Sequence, residues 1–168
     1  MFGGGDKPDY EIADVYTGMR DMVLNLNTDQ ISELNELPVW AVLMETGYDS
    51  TVVTVVAIAE GTASLYFSNG GGMIGLGEHE NVRPACFNLV KKSAEYLKEM
   101  EKAESYPLPK KGETVFYVVT SDGIYTYRAK EADLGHEKDE LSPLFYDGQE
   151  LITQMRIADE KRRAEQGS

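Results

Sequence analysis

Residues 39–68, VWAVLMETGYDSTVVTVVAIAEGTASLYFS, decide the fold because they are rich in valine, threonine and aromatic residues. The run is broken at GYDS and at EG, and such short breaks fit hairpins rather than crossover connections. The segment VVTVV is apolar at both alternating sets of positions, which predicts helices on both faces of the sheet. Three antiparallel strands are therefore predicted, at about 39–46, 51–59 and 62–68.

A second hairpin is predicted in residues 113–130, ETVFYVVTSDGIYTYRAK. Asp122 and Gly123 form a favoured hairpin dipeptide, and alternating residues flank it. Together the two segments predict one five-stranded antiparallel sheet in an α+β fold, with helices on both of its faces.

Helical periodicity appears before, between and after these strands. Residues 11–26 predict a first helix, and residues 28–37 offer a short second one. Residues 81–104 carry the strongest helical pattern, and Ser142 with Pro143 opens the last helix. The apolar stripe of the first helix consists of Ile12, Val15, Tyr16, Met19, Met22, Val23 and Leu26.

The predicted element order is α(α)-βββ-α-ββ-α, with the strands grouped in three and two. This order resembles the profilin-like group of folds, which includes the roadblock and longin modules, over residues 11–160. The resemblance rests on element order and carries no motif, so it transfers no functional residue. We predict a flexible N-terminal lead at 1–9, a single domain at 10–160 and a frayed tail at 161–168.

The net charge of −13 is unevenly distributed along the 168 residues. Residues 1–77 hold 11 acids and 2 bases (net −9), whereas residues 78–168 hold 18 acids and 14 bases (net −4). Nucleic acids require a positive surface, so the charge argues against binding them, while a basic protein would be attracted. No apolar run approaches the ~20 residues of a membrane helix. With one cysteine, Cys86, placed on an apolar stripe, a cytoplasmic protein with a buried thiol is expected.

The glycine-rich segment 68–81, SNGGGMIGLGEHEN, is the first candidate site. It matches G-x-G-x-x-G, but the glycines follow an antiparallel strand, and no lysine follows them as in a phosphate-binding loop. Glutamates at the following helix start would repel a phosphate. A tight turn with positive φ at 69–72 is therefore predicted. A ligand or partner groove there is the alternative, and its candidate residues are Asn69, Gly70, Gly71, Gly72, Glu78 and His79.

Glu78, His79 and Glu80 are residue types that can serve acid–base chemistry or metal binding. Adjacent residues do not share one face, and the chain has only two histidines, so no catalytic residue, metal site or cofactor is predicted. Tyr125 and Tyr127 share one face of the last hairpin and are candidates for a protein interface, or else for half-buried packing beneath the helices.

These observations favour a non-enzymatic, cytoplasmic protein-interaction or regulatory module that forms a homodimer. Two alternatives stay open. One is an acidic inhibitor or immunity-type protein that docks a basic partner. The other is a small-molecule-binding protein or enzyme with its site in the glycine-rich loop at 69–80.

Overall fold

The computed structural model describes residues 12–26, 36–73 and 79–167, which form one antiparallel sheet with helices on both faces. The strands are β1 (Ala41–Gly47), β2 (Val52–Ile58), β3 (Ala63–Phe67), β4 (Gly72–Met73), β5 (Glu101–Lys102), β6 (Glu113–Thr120) and β7 (Gly123–Lys130). The helices are α1 (Asp14–Leu24), α2 (Val82–Glu95), α3 (Glu131–Gly135) and α4 (Ser142–Gln166). The strand order across the sheet is β4-β3-β2-β1-β6-β7-β5.

The sheet of the described residues has seven strands, so the prediction of five was wrong. The five longer strands lie where the two hairpin-rich segments predicted them. The additional strands, β4 and β5, are two residues long and occupy the two edges of the sheet. Two residues are too short to show a period of alternation, and this is why the sequence did not reveal them. The short helix predicted at 28–37 falls largely outside the described residues.

The predicted element order was also wrong, because β4 and α3 are additional elements and the segment 81–104 is not one helix. The helix α2 ends at Glu95, a single 3-10 turn follows at Leu97–Glu99, and the chain then becomes extended as β5. The N–H of Ala103 donates to the carbonyl of Ile124 at 2.7 Å, so pairing with β7 competes with helix continuation. Like charges at Lys98 and Lys102, four residues apart, also disfavour a longer helix.

The last helix begins at Ser142, as the Ser-Pro pair predicts, but it is longer than expected. It continues to Gln166 through most of the segment 161–168, which the sequence assigned to a frayed tail. The buried carboxylate of Asp159 pairs with Arg162 at 2.7 Å and with Arg163 at 3.0 Å. These contacts link successive turns of the helix and stabilise its end.

Alternating side chains of the central strands pack into two separate hydrophobic cores, one on each face of the sheet. On one face, Val42 and Phe116 pack with side chains from α2 and α4. On the other face, Leu43 and Tyr117 pack with side chains from α1. The apolar character of the strands on both faces therefore reflects helices on both sides, as predicted.

The helix α1 crosses the sheet rather than following one strand. The N–H of Ala13, just before it, donates to the carbonyl of Ser68, just after β3, at 2.7 Å. The hydroxyl groups of Tyr16 and Thr54, on β2, are 2.7 Å apart. Further along, Arg20 reaches Glu45 on β1. The helix therefore passes over β3, β2 and β1 in turn.

Candidate functional site

A charged residue, Glu45, lies fully buried in β1, with 0% of its surface exposed. Arg20 Nε donates to Glu45 Oε2 at 2.8 Å, and Arg20 Nη2 donates to Oε1 at 3.0 Å. The Thr54 hydroxyl donates to Oε2 at 3.0 Å. Because the Thr54 hydrogen is engaged there, the Tyr16 hydroxyl donates to Thr54 Oγ. Four side chains thus form one polar network between α1 and the sheet.

The network extends to the segment that follows β5. Arg20 Nη2 also donates to the carbonyl of Tyr106 at 2.7 Å, and its guanidinium carbon lies 5.4 Å from the centre of the Tyr117 ring. Burial lowers the pKa of Arg20, but the hydrogen bond and the charge of Glu45 outweigh it, so the net shift is upward. The guanidinium therefore stays charged and holds α1, β1 and the loop near Tyr106 together.

This network sets which face of α1 meets the sheet. Tyr16, Val23 and Leu24 are buried, and Arg20 is directed at Glu45 between them. The centre of this buried face is displaced by roughly a quarter of a helical turn from the centre of the predicted apolar stripe. Part of that stripe is consequently left in solvent.

The remaining stripe residues of α1 are Val15, Met19 and Met22, which we call the α1 seam. Val15 is 59% exposed and Met22 is 52% exposed, while Met19 is half-buried between them. Spacings of four and three residues place these side chains on one line along the helix. Ile12, also exposed, precedes the seam by three residues. A row of apolar side chains in solvent is the kind of surface that marks an interaction site.

A cleft of about 160 Å³ adjoins the seam between α1 and the turn after β3. Its walls are apolar side chains from both elements and the bare backbone of the glycine run. The lining residues are Val15, Tyr16, Met19, Tyr66, Phe67, Gly70, Gly71 and Gly72. Three residues of the groove predicted from the sequence therefore line a cleft, next to an apolar surface that the sequence did not predict.

The glycine run itself forms a tight turn between β3 and β4. The N–H of Gly70 donates to the carbonyl of Phe67, and the N–H of Phe67 donates to the carbonyl of Gly71, both at 2.9 Å. Gly70 has φ of +105°, a conformation that favours glycine. The side chain of Asn69 accepts the N–H of Gly71 at 3.2 Å. At Gly72, an added Cβ would lie 2.5 Å from the carbonyl oxygen of Leu65.

The histidine of the predicted groove lies apart from this turn. His79 is half-buried just before α2, and its carbonyl accepts the N–H groups of Val82 and Arg83, both at 3.1 Å. It is not among the residues that line the cleft. Glu78 lies outside the described residues. The structure therefore does not bring an acid–base group at His79 to the glycine turn.

Tyr125 and Tyr127 lie half-buried on the sheet face that α2 and α4 cover. The Tyr125 hydroxyl donates to Asp122 at 2.8 Å, and the Tyr127 hydroxyl donates to Asp139 at 2.9 Å. Both hydroxyl groups thus have partners within the chain. Their role in a protein interface stays a prediction.

Within the described part of the chain, no three His, Cys, Asp or Glu side chains are grouped closely enough to hold a metal ion. Nor does any helix of that part combine the length and apolar character needed to cross a bilayer. The fold and the site together define an α+β protein with one antiparallel sheet and an exposed apolar helix face. Comparison with protein-family models, curated proteins and solved structures gives no match for this chain.

One glycine of α1 gives a direct test of how open this face is. A Cβ added at Gly18 would meet nothing within 4 Å. We therefore expect Gly18→Ala to raise the free energy of unfolding by about 0.5–1 kcal/mol, since alanine is the better helix former. Urea denaturation followed by circular dichroism measures this change.

Gly47→Ala is the matched control, because an added Cβ there would collide with the carbonyl oxygen of Lys110. This variant is expected to lose stability. A loss of stability in Gly18→Ala would show that α1 is covered at this position.

Proposed function

We propose that this chain is a protein-interaction module that binds its partner through the α1 seam and the adjoining cleft. The observation that carries the proposal is the exposure of Val15 and Met22 on a helix whose other face is fixed to the sheet by a buried ion pair. Tyr16, Val23 and Leu24 have a place in the core and Met19 packs partly against it, whereas Val15 and Met22 are mostly exposed. Binding of a partner would remove their apolar surface from water.

The rigidity of the supporting elements favours the same function. The seam stands on a helix that is held at Ser68, Thr54 and Glu45, so it is presented in one orientation. A preorganised surface binds with a smaller loss of conformational entropy than a mobile one.

A photo-reactive benzophenone amino acid in place of Met22 tests this proposal. In cells of the source organism, we expect irradiation to give one discrete covalent adduct. The same amino acid in place of Thr17 is the matched control, because Thr17 is exposed on the same helix but lies off the seam. It should give no such adduct.

The mass of the adduct distinguishes the expected partners. An adduct of twice the mass of the chain would identify the homodimer that the sequence predicts, whereas another mass would identify a different protein. Equal labelling from both positions, or no discrete product from position 22, would contradict the proposed function. Circular dichroism of both purified variants establishes that they are folded.

A further inference from the structure

The partner of the α1 seam can be specified further from its spacing, its bare backbone and its charge. We propose that the seam binds an amphipathic α-helix of a partner protein, with lysine or arginine beside that helix's apolar stripe. The inference rests on the proposed function and names the class of partner.

The spacing of the seam is that of a helix–helix contact. Val15, Met19 and Met22 follow one another along α1 at spacings of four and three residues. This is the period at which apolar residues of one helix meet those of another. Methionine side chains are flexible and polarizable, so they adapt well to the side chains of a bound helix.

Gly18 lies beside this line, between Val15 and Met22, and supports the same occupant. Glycine costs a helix roughly 1 kcal/mol relative to alanine. A Cβ added at this position would meet no atom within 4 Å, so close packing within the described chain does not require glycine here. A small residue beside an apolar line lets a second helix approach the backbone closely. Gly18 is therefore suited to a helical partner.

The negative charge of the sequence around α1 favours basic residues beside the apolar stripe of the partner helix. Residues 8–82 contain 12 acidic residues and a single lysine or arginine, Arg20. The charge of that base is matched by Glu45, because both oxygens of the carboxylate accept its hydrogen bonds. Asp14 and Asp21 are exposed on α1 itself. An acidic partner, including the α1 of a second copy, would meet like charge here, whereas a basic helix would be attracted.

A synthetic helix provides the probe. We would use an 18-residue fluorescein-labelled peptide with leucine in a heptad stripe and lysine on its flanks, and a matched peptide with glutamate at each lysine position. Fluorescence anisotropy with the full chain should give binding to the lysine peptide that is at least about tenfold tighter than to the glutamate peptide. Binding should weaken as salt is raised.

Three variants distinguish binding at the α1 seam from general electrostatic attraction of the peptide to the chain. Met22→Asp adds a negative charge and removes an apolar side chain of the seam. If non-specific attraction alone held the lysine peptide, this variant would bind it more tightly. If the peptide binds at the seam, the variant should bind it more weakly by about tenfold or more. Thr17→Asp adds the same charge off the seam and should not weaken binding. Gly18→Gln should weaken binding without lowering the free energy of unfolding, because its side chain blocks close approach.

Each result bears on the inference separately from the proposed function. Equal binding of the two peptides, absence of binding, or unchanged or tighter binding by Met22→Asp would overturn the basic-helix partner. If position 22 nevertheless forms its discrete adduct in cells, the interaction function stands and the partner has another chemistry. If the lysine peptide binds at the seam but no adduct forms in cells, the proposed function fails.

Discussion

Replacing Arg20 with methionine is expected to lower the free energy of unfolding by about 3–5 kcal/mol, because it leaves the Glu45 carboxylate buried without its counter-ion. Methionine keeps much of the aliphatic volume of arginine, so the loss reports the charge more than the packing. Chemical denaturation followed by circular dichroism measures this change. Hydrogen exchange should also show faster opening of α1, since the ion pair holds this helix to β1.

A double-mutant cycle identifies the source of this loss. Glu45→Gln in the Arg20→Met background removes the unpaired charge and keeps an oxygen that accepts the Thr54 hydroxyl. We expect the double variant to be more stable than Arg20→Met alone, with a coupling energy of at least about 1 kcal/mol. If the double variant is no more stable than Arg20→Met, the buried charge is not the cause.

An exposed ion pair of the same type provides the control. Arg128 Nη1 lies 2.8 Å from Glu113 Oε1, but both side chains are partly exposed to solvent. Arg128→Met should therefore cost less than about 1 kcal/mol. Similar losses for Arg20→Met and Arg128→Met would show that burial of the Arg20 pair contributes little.

The orientation of α1 shows how much of a helix's packing can be predicted from the periodicity of its apolar residues. Apolar spacing correctly indicated a helix around residues 14–24, and it grouped Val15 and Met22 with Tyr16 as one stripe. The structure divides that stripe, because the sheet beneath it carries a buried carboxylate at Glu45 that requires Arg20. A pairing between residues 25 positions apart is a tertiary interaction and leaves no trace in local periodicity. The wide apolar arc of α1 was visible in the sequence, but its division was not.

Two features of the sequence do point to the buried pair. Glu45 interrupts the otherwise apolar run VWAVLMETG, and Arg20 is the only lysine or arginine between Lys7 and Arg83. A lone charge in a strand that is apolar on both faces requires a partner of opposite sign. The sequence therefore indicates that Glu45 takes part in a buried ion pair. It points to Arg20 as the partner only because Arg20 is the sole lysine or arginine between Lys7 and Arg83.

The strands were more accessible to prediction than the connections between them. The alternating hairpin at 113–130 appears as β6 and β7, paired from Glu113 with Lys130 to Thr120 with Gly123. Helix ends depend instead on contacts made far away in sequence, and α2 ended early because the residues after it pair with β7. At the candidate site, the glycine run predicted its own turn, but the helix face beside it depended on how α1 packs.

Raising the pH from 9 to 12 is expected to destabilise the fold strongly, because two buried groups keep their protons in the native state. Burial raises the pKa of Cys86 from its ordinary value of 9.0 to about 12. Burial, and then the charge of Glu45, raises the pKa of Tyr117 from 10.0 to about 12. In the unfolded chain these groups ionise near their ordinary values, so as the pH rises the unfolded state loses protons first and its free energy falls relative to that of the native state. Stability from these groups is present below pH 9 and is lost as the pH rises toward 12.

The pH dependence of the free energy of unfolding distinguishes the contribution of Cys86 from that of Tyr117. Each unit of pKa difference corresponds to about 1.4 kcal/mol, so together they remove several kcal/mol across this range. Denaturation in urea at intervals from pH 8 to 12 should show the decline beginning near pH 9 in the wild-type chain. In Cys86→Ala, which carries no ionisable group there, the decline should begin near pH 10 and be shallower. The same slope in both chains would show that the Cys86 thiol is not protected by burial, and rapid reaction of the native thiol with a disulfide reagent at pH 8 would show this independently.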